Sequence, residues 1–166
     1  MTYPKVDSQP NFPALENETL EFWATDRTFQ ASIDQRDAGT NGDNEYVFYD
    51  GPPFANGLPH YGHLLTGFVK DAVPRYQTMQ GKRVERRFGW DCHGLPIEHN
   101  VEKKIGKAGV KVEFSAFRRK CRDYAMTQVE DQRAGFVRLG VFGDWHNPYL
   151  TMNYKVEADT IRALGK

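Results

Sequence analysis

The pattern of hydrophobic and polar residues changes period along the chain, from helical spacing to a short continuous apolar run. Leu15, Phe22 and Trp23 recur at offsets of seven and eight, which places them on one face of a helix, and Pro13 suits its first turn. The run EYVFY at residues 45–49 is rich in aromatic and β-branched side chains, so it predicts a short buried strand.

A second helix is predicted to begin near His60 and to end or kink around Pro74. Its apolar residues at helical spacing are Leu64, Leu65, Phe68, Val69 and Ala72. The segment KRVERRF at residues 82–88 can form another strand. Strand, helix and strand then follow one another within about 45 residues, which is the length of a right-handed, parallel βαβ unit.

A long helix is predicted with Ser115 as its N-cap and Gly140 as its stop. The residues expected on its inner face are Phe117, Cys121, Tyr124, Ala125, Gln128, Val129, Gln132, Phe136 and Leu139. Its opposite face mixes both signs of charge, which is typical of a solvated surface. A final helix is predicted from about Lys155 to Leu164.

Composition indicates a globular protein and limits the partners, metal sites and cellular compartment to be expected. The 166 residues are 39% hydrophobic, enough for one sizeable core, and the 22 basic residues balance 22 acidic ones, so nucleic acid could bind only through a local basic patch. Cys92 and Cys121 form no CxxC pair, so no structural metal site is predicted. Without a signal peptide or an apolar run of about 20 residues, the chain is expected to be cytosolic, away from membranes, with reduced thiols.

Candidate chemistry lies in YDGPPFANGLPHYGH at residues 49–63, between the first strand and the second helix. In an open α/β sheet, the first strand-to-helix connection is the usual place for a nucleotide phosphate. Gly51 lets backbone approach a ligand, and His60 and His63 project to one side of a helix start that attracts anions. The stretch is neither a Walker A loop nor a typical zinc pair. A Gly/Pro-rich turn before a His-capped helix is also common without function, so both interpretations stay open.

Two motifs in this order resemble a known enzyme family. PHYGH at residues 59–63 is similar to the HIGH sequence of class I aminoacyl-tRNA synthetases, with Tyr61 at the variable second position. DGPPFANGLPHYGH at residues 50–63, followed by GWDCHGLPIE at 89–98, resembles the isoleucyl members of the subgroup that includes valyl and leucyl enzymes. RLGVFGDWHNPYLTMN at residues 138–153 is similar to the same family. The resemblance extends over most of the chain.

The resemblance implies an α/β fold, the first half of a Rossmann-type nucleotide-binding domain with a parallel sheet and flanking helices. Residues 1–44 would form an N-terminal helix and linker, and residues 45–166 the N-terminal half of the catalytic domain. The editing domain, the KMSKS half and the anticodon-binding domain of a complete enzyme are expected to be absent. Exposed apolar faces would then meet the missing half or self-associate.

The resemblance also implies an ATP site. His60 and His63 would be the catalytic residues, which contact ATP and stabilise the charge that develops on its α-phosphate. Pro52 and Gly62 would complete this site, with Gly62 against the adenosine.

The implied amino-acid site consists of Gly51, Pro52 and Asp91, with the Asp91 carboxylate on the substrate's ammonium group. An isolated aspartate at such a position is more often a turn or capping residue. Trp90 is expected to support the core.

The implied function is that of an isoleucine–tRNA ligase. ATP with Mg²⁺ and L-isoleucine would form isoleucyl-adenylate for transfer to tRNA(Ile), and neither zinc nor a resident metal ligand is implied. Two alternatives stay open: a noncatalytic adenylate-binding or regulatory module, and valyl-type specificity. Isoleucine-dependent exchange of pyrophosphate into ATP would discriminate between catalysis and binding alone.

Overall fold

The computed structural model describes Val6 and residues 8–166, which form helices and short parallel strands. The helices are α1 (Phe12–Asp26), α2 (Thr28–Asp34), α3 (Tyr61–Met79), α4 (Leu95–Ile105), α5 (Phe114–Arg138) and α6 (Tyr154–Leu164). The strands are β1 (Phe48–Tyr49), β2 (Arg86–Arg87), β3 (Gly89–Trp90) and β4 (Tyr149–Leu150). A 3₁₀ turn covers Thr40–Gly42.

Three chain segments run parallel, and β2 and β3 together form the middle one. The paired residues are Phe48 and Arg86, Tyr49 and Arg87, Gly89 and Tyr149, and Trp90 and Leu150. A bridge between Phe54 and Asp91 continues the pairing beyond β1 and β3. The predicted parallel arrangement of strand, helix and strand is confirmed in β1, α3 and β2. Because the strands are parallel, their carboxyl ends meet at one edge.

The side chain of Tyr149 crosses the middle segment. A Cβ atom at Gly89 would clash with the Tyr149 ring, so the glycine leaves room for this crossing. The Tyr149 hydroxyl donates a hydrogen bond to the carbonyl of Asp50, just past β1. One side chain of β4 thereby reaches the opposite outer segment.

The core lies where β3 and β4 meet α4 and α5. Its buried members are Ala55, Trp90, Cys92, Ile97, Ala125, Val129, Leu150 and Met152. The predicted inner face of the long helix is confirmed at its centre, where Ala125, Val129 and Gln132 are buried. Leu139, at the end of that face, is 56% exposed. Trp90 supports the core as expected.

Of the two outcomes predicted at Pro74, an end of α3 is wrong, because the helix continues to Met79, and a kink stays a prediction. Proline removes one backbone hydrogen bond from a helix, but contacts with other elements hold the last turn here. The Thr78 hydroxyl donates to the Pro74 carbonyl at 2.8 Å and accepts a hydrogen bond from Arg86 at 3.0 Å. Arg36 donates to the Thr78 carbonyl at 3.2 Å.

The predicted N-cap of α5 is also wrong, because Glu113 caps the helix and Ser115 does not. The Glu113 carboxylate accepts hydrogen bonds from the backbone N–H groups of Ser115 at 2.7 Å and Ala116 at 3.0 Å. The Ser115 hydroxyl donates to the same carboxylate. A longer acidic side chain thus reaches the free N–H groups from an earlier position.

The predicted burial of residues 45–49 is wrong, since Val47 is 73% and Tyr49 62% exposed. On α3, Leu65 and Phe68 are 69% and 72% exposed. Periodicity identifies the residues that share a face. It does not indicate how far another element covers that face: Leu64 is half-buried here, whereas Leu65 and Phe68 are exposed.

Two helices and one strand pairing were not predicted. α2 follows α1 after Arg27, whose φ of 54° separates the two helices. α4 begins within GWDCHGLPIE, with Gly94 as its N-cap. The parallel pairing of β3 with β4 joins distant parts of the chain.

The proposed division between residues 44 and 45 stays a prediction. Across the described ranges, no helix is both long and apolar enough to cross a membrane.

Candidate active site

His60 and His63 build the start of α3. His60 is the N-cap, and its Nδ1 atom accepts a hydrogen bond from the backbone N–H of Gly62 at 3.1 Å. His63 Nδ1 accepts one from the backbone N–H of His60 at 3.2 Å. The ring centroids are 3.9 Å apart, so the two side chains lie together, as their spacing predicts.

These capping bonds determine which nitrogen carries the ring proton. A neutral imidazole that accepts through Nδ1 carries its proton on Nε2. Burial, and then the nearby charges of His60 and Lys70, lower the pKa of His63, which keeps its ring neutral near pH 7. The Nε2–H groups make no hydrogen bond with the described residues, so the pair offers two donors to a ligand.

A contact within the protein, independent of any nucleotide, explains why residue 62 is a glycine. A Cβ atom at this position would lie 2.9 Å from His60 Cε1, which is too close without movement of the ring. The missing side chain therefore lets His60 cap the helix.

The loop after β1 is fixed at its first residues by Lys70 of α3. The Lys70 ammonium lies 2.6 Å from Asp50 Oδ1 and donates to the Gly51 carbonyl at 2.7 Å. Asp50 is buried, and burial raises the pKa of its carboxyl group although Lys70 acts to lower it. Gly51 is exposed with free space where a Cβ would point, and Pro52 is half-buried.

The second part of this loop rests on α5. Gln132 is completely buried, and its amide N–H groups donate to the carbonyls of Phe54 at 3.0 Å and Gly57 at 2.8 Å. Gln128 accepts a hydrogen bond from the backbone N–H of Gly57 at 2.6 Å. Sequence reasoning assigned both glutamines to the inner face of a helix and missed these contacts. A polar residue at a core position is the signal that could have indicated them.

A second polar group holds the same loop. Asn56 Oδ1 accepts hydrogen bonds from the Tyr124 hydroxyl and the Asn100 amide, each at 2.8 Å. Asn56 is thereby connected to both α4 and α5.

Asp91 follows β3 at the same edge of the sheet. Its backbone N–H donates to the Pro53 carbonyl at 2.8 Å, which joins it to the loop after β1. Its Oδ1 accepts hydrogen bonds from the His93 backbone N–H at 3.2 Å and the Thr151 hydroxyl at 3.3 Å. The turn role that is common for an isolated aspartate is therefore observed. Oδ2 accepts no hydrogen bond from the described residues, which leaves one carboxylate oxygen for a ligand.

In the described part of the chain, His63 lines a cavity whose wall does not include Asp91. A cavity of about 180 Å³ between α3 and α5 includes His63 and Phe136 in its wall. Another, of about 360 Å³, lies beside Cys92 and His93. Asp91 lines neither of these two cavities, and its backbone bond with Pro53 is what joins it to the loop after β1.

The cysteines are free thiols, with Cys92 buried and Cys121 half-buried. Burial raises the pKa of both thiols. No three His, Cys, Asp or Glu side chains in the described part of the chain converge as a metal site.

Comparison with known proteins gives a consistent result. The family model of tRNA synthetases class I (I, L, M and V) matches residues 18–166. An isoleucine–tRNA ligase of Teredinibacter turnerae is 53% identical over 156 residues, covering 94% of this chain and 16% of the relative. That of Rickettsia akari is 51% identical over 155 residues, covering 91% of this chain and 14% of the relative.

A solved structure shares the fold. The Agrobacterium radiobacter K84 agnB2 LeuRS, in a ternary complex with tRNA and LeuAMS, aligns with a TM-score of 0.67 at 19% identity, covering 93% of this chain and 18% of that one. The expected α/β fold of a class I synthetase catalytic domain is thus confirmed. Our chain spans about one sixth of the length of such relatives, 16% for the first. With the match over residues 18–166, the chain belongs to the class I tRNA synthetases of the I, L, M and V group.

Proposed function

We propose that this chain binds ATP and L-isoleucine at the carboxyl ends of its parallel strands and takes part in forming isoleucyl-adenylate for transfer to tRNA(Ile). The observation that carries the proposal is the mutual capping of His60 and His63, which presents two Nε2–H donors at a helix start. Such a helix end is a natural anion site. The names of the relatives favour isoleucine over valine.

In the proposed reaction, a carboxylate oxygen of isoleucine attacks the α-phosphorus of ATP, and pyrophosphate leaves. Negative charge grows on the phosphate oxygens as the new bond forms. His60 and His63 would donate hydrogen bonds to these oxygens without forming a covalent bond. Donors already fixed by the fold stabilise such charge with little reorganisation.

The proposed amino-acid site lies along the neighbouring strand end. Asp91 would hold the ammonium group of isoleucine through Oδ2, while Oδ1 keeps its bonds with His93 and Thr151. Gly51 and Pro52 would line this site, and Pro52 and Gly62 would border the nucleotide.

Mg²⁺ would arrive with ATP, since the ion is usually held by substrate phosphates and few protein carboxylates. It would neutralise phosphate charge. We place the reaction in the cytoplasm, where tRNA(Ile) would be the acceptor.

The test separates the capping role of His60 from its ligand role. Asparagine is a good N-cap but lacks a donor at the position of Nε2, so His60→Asn should keep the free energy of unfolding. We expect it to weaken binding of Mg·ATP roughly 10- to 100-fold, the value of one hydrogen bond to a charged group. His60→Ala should lose binding and also about 1 kcal/mol of stability. Calorimetric titration and urea unfolding measure the two effects.

Asp91→Asn is the matched variant for the second site, because its amide oxygen can keep the Oδ1 bonds. It should reduce isoleucine-dependent pyrophosphate exchange while Mg·ATP affinity stays unchanged. Full ATP binding by His60→Asn would overturn the assignment of the histidine. Normal ATP binding by the unaltered chain with no isoleucine-dependent exchange would indicate a binding module instead of an enzyme.

A further inference from the structure

We propose that Gln132 is a positioning residue that couples the ATP-binding loop to the strand end that carries Asp91. This inference rests on the proposed function, because it assigns the two substrates to these two places. Gln132 lies on α5 and belongs to neither predicted site. Its amide is nevertheless bonded to both segments that would hold the substrates.

The contacts form a stripe along α5. Gln128, Gln132 and Gly135 recur at offsets of four and seven, so they lie on one face of the helix. All three lie under the loop: the glutamines bond Gly57, and a Cβ on Gly135 would lie 3.5 Å from Pro59 Cγ. His60 follows Pro59 directly, so this face supports the chain up to the cap of α3.

The Gln132 amide has no spare hydrogen-bonding capacity on its nitrogen. Its two N–H groups bond the carbonyls of Phe54 and Gly57, and its Oε1 accepts from Trp90 Nε1 at 3.0 Å. The residue is 0% exposed, so water cannot replace a lost partner in this position. An apolar side chain of similar size would leave the Gly57 carbonyl and the Trp90 indole N–H without a partner, while the Phe54 carbonyl would keep its hydrogen bond from the Asn56 backbone N–H.

The bond with Trp90 extends the connection to the second site. Trp90 is 1% exposed and directly precedes Asp91 in the chain. One planar amide therefore fixes the position of the loop before His60 relative to the strand that precedes Asp91. Reactions between two bound substrates depend strongly on such alignment.

The experiment compares Gln132→Met with Val101→Ala in the full chain. Methionine has a similar volume but no amide, whereas Val101 is a buried α4 residue, 4% exposed, outside the loop contacts. Both variants should lose stability, but Gln132→Met alone should weaken binding of a nonhydrolysable isoleucyl-adenylate analogue, roughly 10- to 100-fold. Affinity for Mg·ATP alone should fall less, because it depends on one of the two segments.

A second readout needs no ligand. Proton–nitrogen correlation spectra of the imidazoles should show Nε2–H tautomers for His60 and His63 in the unaltered chain and in Val101→Ala. Gln132→Met should give mixed tautomers, because the displaced loop disturbs the cap. If Gln132→Met does not fold, Gln128→Met removes one loop bond from a half-buried position and should shift the same spectra.

Unchanged imidazole spectra in the folded glutamine variants would overturn the positioning role. Equal losses of analogue affinity in Gln132→Met and Val101→Ala would do the same, since they would indicate only general destabilisation. Failure of the unaltered chain to bind either Mg·ATP or the analogue would instead refute the proposed function, whereas the spectra would still report on the loop.

Discussion

α5 and α3 are the two longest helices of the described chain, with 25 and 19 residues, yet they bury very different surfaces. α5 buries Phe117, Ala125, Val129 and Gln132, whereas the buried residue of α3 is Pro74. Both sequences repeat apolar residues at helical spacing. The comparison shows that periodicity predicts a helix and its apolar face, while burial depends on distant segments that the pattern does not reveal.

The candidate site joins these two helices. α5 fixes the loop through its buried amide, and α3 contributes the histidines at its exposed first turn. A rigid support thus lies beside groups that stay open to a ligand, as expected for a binding site on a stable scaffold. Three predictions test this difference.

The largest expected effect is a loss of stability when a phenylalanine of α5 is replaced by alanine, compared with the same substitution on α3. Phe117 on α5 is 7% exposed and Phe68 on α3 is 72% exposed. Phe117→Ala should lower the free energy of unfolding by about 3 kcal/mol or more. Phe68→Ala should change it by less than about 0.5 kcal/mol. Urea unfolding followed by circular dichroism measures both, and the milder Phe117→Leu and Phe68→Leu pair serves if Phe117→Ala does not fold.

Equal losses for the two alanine variants would contradict the difference in burial. Sedimentation of the unaltered chain would then show whether self-association covers the α3 face in solution.

The second prediction concerns the polar side of α3. Lys70→Met would leave the buried Asp50 carboxylate without its ion pair, so we expect a loss of about 1–3 kcal/mol at neutral pH. Burial already raises the pKa of Asp50, and removal of Lys70 would raise it further. The loss should therefore shrink in mild acid, where the carboxyl group becomes neutral and cheaper to bury. Urea unfolding at both pH values measures it, and a loss independent of pH would argue against the ion pair.

The smallest effect distinguishes the two helix starts by their response to acid. Hydrogen bonds from the Ser115 hydroxyl and from the N–H groups of Ser115 and Ala116 lower the pKa of Glu113 from 4.5 to about 2. Its contribution is present above the ordinary pKa of 4.5 and is lost as the pH falls through about 2. As the solution is acidified, the start of α3 should weaken before that of α5, at a pH above the Glu113 transition. The reason is that His63 Nδ1 can no longer accept a hydrogen bond once the ring is protonated.

Amide exchange at the first turns of α3 and α5, measured across this pH range, checks the order of the two transitions. Glu113→Gln should remove the acid response of α5 and leave that of α3 unchanged. Simultaneous weakening of both turns would show that the caps do not act locally.

Sequence patterns predicted the parts of the fold that depend on neighbours in the chain. The start of α3 was predictable because His60 and its motif mark a helix boundary. The role of Gln132 was not, since a periodic pattern counts it as a face position and cannot show which carbonyls it meets. The α5 cap was missed because serine is a preferred N-cap residue, whereas glutamate is not, so the sequence favours Ser115 over Glu113. The exposure of Val47 depends on long-range packing, which spacing does not encode.

The crossing of Tyr149 over Gly89 also sets an order of events during synthesis. The Tyr149 hydroxyl and the Asp50 carbonyl that it bonds are 99 residues apart in sequence. Contacts between such distant residues form late, and the ribosome delivers the amino-terminal part first. We therefore expect the loop that carries His60 to reach its final geometry only after β4 has emerged from the ribosome, so the proposed ATP site would not form before residue 149 has been added.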